Sequence, residues 1–113
     1  MAILINKTRQ IEVLSNLEKA DSFMSRLKGL LGKESIESGF GLMIEPCNSI
    51  HCFFMKFPID VAFVGKDNTV LKIISEMKPF TASPIIFGAK FVIEAKATEF
   101  KDILFEGDTV DII

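Results

Sequence analysis

Residues 59–75, IDVAFVGKDNTVLKIIS, decide the fold. Two apolar, β-branched runs, 59–65 and 69–75, flank Lys66-Asp67-Asn68, a turn-forming triplet between strand-forming residues. That arrangement predicts a β-hairpin. In its first arm Ile59, Val61 and Phe63 take one face, and Asp60, Ala62 and Val64 take the other.

Working outward, the same reading yields further short strands at 2–6, 10–14, 40–45 (ended by Pro46), 49–56, 90–95 and 109–113. The 49–56 run is apolar on both faces, which predicts a central strand. Pro79 and Pro84 bracket a loop, and 97–103 reads as a short helical turn. One substantial helix is predicted from Asp21 or Ser22 to about Leu31, because Phe23, Leu27, Leu30 and Leu31 form one apolar stripe and Gly32 is placed to end it. The expected class is mostly β (α+β): a small β-barrel or sandwich of seven to eight short strands with one helix packed against it. At 113 residues the chain reads as a single domain, 1–113.

Composition narrows the function classes. Net charge is −2 and the 13 basic residues are scattered, so no face is basic enough to release phosphate counterions. No nucleic-acid partner is expected. Eleven Phe with no Tyr or Trp predict a Phe-rich core, since the ring has no polar handle. The opening MAILIN run is too short for a secretory core, and no stretch is long and apolar enough for a membrane span. A cytoplasmic location is expected, with the two cysteines reduced.

The chemistry-bearing residues cluster in Cys47–Phe63, which holds both cysteines and the only histidine. In a strand, Cys47 and His51 share a face but stand about 13 Å apart, and Cys52 points the other way. Such a segment alone cannot bring ligands to one zinc ion, so no metal and no cofactor is expected. A helical segment would instead stack Cys47, His51 and Met55. Asp60, in an apolar strand, either fixes the Pro58 turn by accepting backbone N–H bonds or serves as a general base or ligand anchor. Glu94, in FVIEAK, poses the same choice, with Arg26 as a partner for either acid.

RLKGLLGK, FGLMIEPCNSIHCFFMKFPIDVAFV, FVIEA and Glu106-Gly107-Asp108 occur in that order. Together they resemble the family known as domain of unknown function 192, from about Arg26 to the C-terminus. The resemblance implies a compact, mostly β fold with a helix against it, and no particular activity. Its typical residues fall on Arg26, Gly29, Leu30, His51, Met55, Pro58, Asp60, Glu94, Gly107 and Asp108. The chain departs at Cys52, where threonine is common, at Lys33, where arginine is common, and at Thr98, often glycine. The leading expectation is a non-enzymatic module binding a small ligand or a protein partner. Its groove would be edged by Arg26, His51, Asp60 and Glu94, with Met55 and Phe53 as apolar floor. The alternatives are an acid–base hydrolase using His51 and Asp60, and a purely structural or protein-interaction domain.

Overall fold

The computed structural model describes residues 2–20, 36–52 and 56–113. Seven strands follow in chain order: β1 (Ala2–Asn6), β2 (Ile11–Ala20), β3 (Phe40–Ile44), β4 (Ile59–Gly65), β5 (Val70–Met77), β6 (Ala89–Lys96) and β7 (Val110–Ile112). They form one curled half-barrel sheet in the order β5-β4-β6-β3-β2-β1-β7. All neighbours are antiparallel except β2 and β3. A parallel pair demands a crossover connection, which residues 21–39 supply. The predicted helix falls in that connection and lies outside the described residues, as do Arg26, Phe53 and Met55.

Curling brings the two edges together. Thr69 bridges Thr109, Val70 N–H donates to the Asp108 carbonyl at 2.8 Å, and Gly107 N–H donates to the Val70 carbonyl at 2.8 Å. Farther along the β5 edge, the Ile73 N–H donates to a Glu106 carboxylate oxygen at 3.0 Å. A charged residue thus occupies an edge donor that another chain could otherwise pair with.

The sheet buries apolar residues on both faces. One face carries Leu14, Ala62, Val64, Ile93 and Phe100, the inner cluster. The other carries Ile44, Ile59, Val61, Phe63 and Val92, the outer cluster, over which Ile50 and Cys52 pack. β4 is buried along its whole length because it sits between β5 and β6 with a cluster on each side. Its alternation is the one expected from the sequence. Gly41 leaves room for the buried Leu14 side chain, whose Cδ1 occupies the place a Cβ would take.

The hairpin forms as expected: Asn68, at φ +63°, donates its N–H to the Gly65 carbonyl, and Gly65 N–H donates to that of Thr69. Three expectations need correction. β2 runs to Ala20 rather than ending at 14, because it pairs with β1 over its first part and with β3 over its last. Residues 49–52 are no central strand of the sheet. They lie over the outer cluster, with Ile50 and Cys52 turned in, His51 turned out, and an isolated bridge to Ala82. The Phe-rich core holds for Phe63, Phe91 and Phe100 but fails for Phe80, Phe87 and Phe105, which stand exposed.

Candidate functional site

Asp60 is wholly buried, and its neighbours explain how a carboxylate is accommodated there. Between Ile59 and Val61 the β4–β5 register slips, so Ser75 and Glu76 together oppose Asp60. A bulge of this kind removes a backbone donor from the ladder. Asp60 Oδ1 accepts the freed Glu76 N–H at 2.9 Å, where Glu76 is held at φ +51°. Oδ2 accepts the Phe100 N–H at 3.0 Å, in the turns that follow β6. Both oxygens therefore bind the backbone, although at the bulge and the β6 turn rather than at Pro58.

Glu94 is buried on the opposite face. It pairs across the strands with Leu42 and Val61, whereas Asp60 pairs with Ala95. Paired residues share a face and successive residues alternate, so one groove does not hold both acids. No side-chain hydrogen bond or ion pair to Glu94 occurs among the described residues. Desolvation by burial pushes its carboxyl up to about 7. Burial thereby favours the neutral carboxyl well above the usual carboxylate range.

Cys52 belongs to the same outer cluster. Burial, with the negative charge of Glu94 adding to it, pushes its thiol up to about 11. A thiol held protonated is a poor nucleophile and a poor metal ligand. Cys47, half-buried, donates its S–H to the Ser49 carbonyl at 3.1 Å. No group of three or more His, Cys, Asp or Glu placed to hold a metal ion occurs among the described residues. His51 stands exposed between the inward-turned Ile50 and Cys52, on the outer-cluster side, while Asp60 points to the inner-cluster side. The structure thus brings Cys52 to the Glu94 face, leaves His51 on the covering segment with its side chain turned out, and sets Asp60 on the opposite face.

A second polar centre escaped the sequence reading. Asp108, buried, accepts Asn6 Nδ2–H at 2.7 Å, Arg9 Nε–H at 3.0 Å and the Phe105 N–H at 3.0 Å. Burial works to raise its carboxyl, but the bonds from Asn6, Arg9 and Phe105 outweigh it and hold the group below the usual carboxylate range. Asn6, fully buried, also donates to the Ile103 carbonyl at 2.9 Å, and Arg9 lies 4.2 Å from the centre of the Phe105 ring. The cluster ties β1 to the turn before β7. Glu106-Gly107-Asp108 marks the acid in the sequence, but Asn6 and Arg9 stand about a hundred residues from it, so no local motif announces the pairing.

A small half-barrel whose outer face buries an acid with no side-chain hydrogen bond among the described residues defines a structural class rather than a reaction. The chain belongs to the DUF192 family, described as "Uncharacterized ACR", whose model matches residues 4–112. The match begins some twenty residues before the motifs noted in the sequence. A UPF0127 protein of Pyrococcus abyssi is 30% identical over 120 residues, covering 100% of this chain and 99% of that protein. Among solved structures, a protein of unknown function from Novosphingobium aromaticivorans superposes with a TM-score of 0.80 at 19% identity, over 97% of this chain and 82% of that one. A candidate transcription regulator from Sinorhizobium meliloti superposes with a TM-score of 0.79 at 20% identity, over 97% and 90%. At such identities the likeness concerns the fold alone.

Proposed function

We propose that the chain is a small non-enzymatic binding module whose ligand centre lies on the outer face at Glu94, edged by His51. One observation carries this reading: Glu94 is buried without a hydrogen-bonding partner among the described residues. Burying such a group costs several kcal/mol, on the order of 2–7 for a polar group left without a bond. A ligand that supplies the missing bond would offset that cost. Arg26 and Met55 stay in the proposal as further contacts, on the strength of the sequence. Asp60 does not, since both its oxygens are engaged elsewhere. The transcription-regulator label of the Sinorhizobium protein is not carried over, because a chain of net charge −2 with scattered basic residues lacks a phosphate-binding face.

The test is the native mass of tag-free protein against its denatured mass, followed by thermal-shift screening of amines, carboxylic acids and nucleotides. A bound or stabilising ligand is expected. Its binding should be lost in Glu94→Gln, weakened in His51→Ala and kept in a folded Asp60→Asn variant. Full binding by Glu94→Gln, or no stabilising compound in any class, would overturn the proposal.

A further inference from the structure

The β5–β6 connection presents large apolar side chains to solvent. Phe80 is 71% exposed, Ile85 57% and Phe87 89%. The segment is nonetheless tied down: Phe80 N–H donates to the Cys52 carbonyl, Ser83 N–H to that of Ile50 at 2.8 Å, and Ile86 N–H to that of Asn48 at 2.8 Å. Ile86 packs into the outer cluster, which turns its neighbours Ile85 and Phe87 outward together. These rings project from a braced ribbon, not from a loose loop.

Charge is segregated on the same ribbon. Residues 77–93 contain no acid, and the segment 46–52 paired with them contains none either. Lys78 and Lys90 stand exposed at the two ends, with His51 exposed between the segments, in a chain whose net charge is −2. Lys90 also approaches Glu45 at 3.6 Å. Apolar rings flanked by lysines suit an anionic lipid surface. The rings enter the acyl boundary while each lysine stays at headgroup level. Protein interfaces favour arginine and are depleted in lysine, whereas both cations of this ribbon are lysines.

We propose that the 78–90 ribbon docks the protein peripherally on anionic membranes, inserting Phe80, Ile85 and Phe87. The experiment is co-sedimentation of the whole chain with vesicles of phosphatidylcholine mixed with phosphatidylglycerol, against phosphatidylcholine alone, at low and high salt. Partitioning onto the anionic vesicles is expected, weakening with salt. Phe80→Ser and Phe87→Ser should each reduce it by about tenfold, and Lys78→Glu should reduce it at low salt only. All three side chains are exposed, so unchanged thermal melts are expected to accompany the loss. No partitioning onto anionic vesicles, or wild-type partitioning by the Phe80→Ser, Phe87→Ser double variant, overturns the proposal. A dimer or acidic-protein complex dispersed by Phe87→Ser, without vesicle binding, assigns the ribbon to a protein partner and overturns it equally.

Discussion

Asp60 Oδ2 accepts the backbone N–H of Phe100 at 3.0 Å, across forty positions of sequence. The other oxygen of the same carboxylate holds the β5 bulge at Glu76. One side chain on β4 therefore fixes both the edge of the sheet and the turns that follow β6. This makes Asp60 a structural residue, and it should behave as one. Asn at this position keeps a single acceptor oxygen and turns an NH₂ toward a backbone donor. Asp60→Asn is expected to cost about 2–4 kcal/mol in a denaturant melt, the loss of a charge-assisted bond plus a buried donor left unsatisfied.

Glu94 should show the opposite signature. Its carboxyl is raised from 4.5 to about 7, so between those values the folded chain binds a proton that the unfolded chain has lost. Stability from this group falls as pH rises through that window, by roughly 3 kcal/mol in all. Glu94→Gln removes the ionisable group at nearly constant shape. The variant is expected to melt higher than the wild type at pH 8 and to lose the slope between pH 4.5 and 7.

Much of this was legible in the sequence. The alternation in IDVAFV put Asp60 and Val61 on different faces: Val61 falls in the outer cluster, and Ala62 and Val64, on the Asp60 side, fall in the inner one. Alternation assigns a face but says nothing of partners. Asp60 and Glu94 look alike in sequence, each an acid in an apolar strand, and the backbone donors of Glu76 and Phe100 at Asp60 separate them. The 49–52 segment misled because Ile50 and Cys52 have the apolar character of a central strand. They earn their burial by covering a sheet face, not by joining the ladder. The exposed Phe80 and Phe87 could not be foreseen from the chemistry of the ring, which argues for burial wherever it occurs.

Asp108 predicts acid sensitivity. Its carboxyl is held below 3.8, so its stabilisation is present above that value and is lost as pH falls through its lower, folded pKa. Asp108→Asn should lower stability near neutrality and flatten the acid limb of the stability curve. Asn6→Ala should reproduce part of the effect by leaving Asp108 one donor short.

The two thiols should differ sharply. Cys52, 1% exposed and with its thiol raised to about 11, is expected to resist a disulfide reagent in the native protein at pH 8. Cys47, half-buried at the surface, should react first, and Cys52 only with unfolding. Fast modification of both thiols would mean that the cover over the outer cluster opens readily.

The central claim is that Glu94, and not Asp60, is the acid kept for binding. The most direct measurement is a carbon-13 NMR titration of the Glu94 side-chain carboxyl in the folded chain, assigned by its disappearance in Glu94→Gln. A midpoint near 7 that moves when a ligand binds is the predicted result. A midpoint near 4.5, as for an ordinary surface glutamate, would contradict the account.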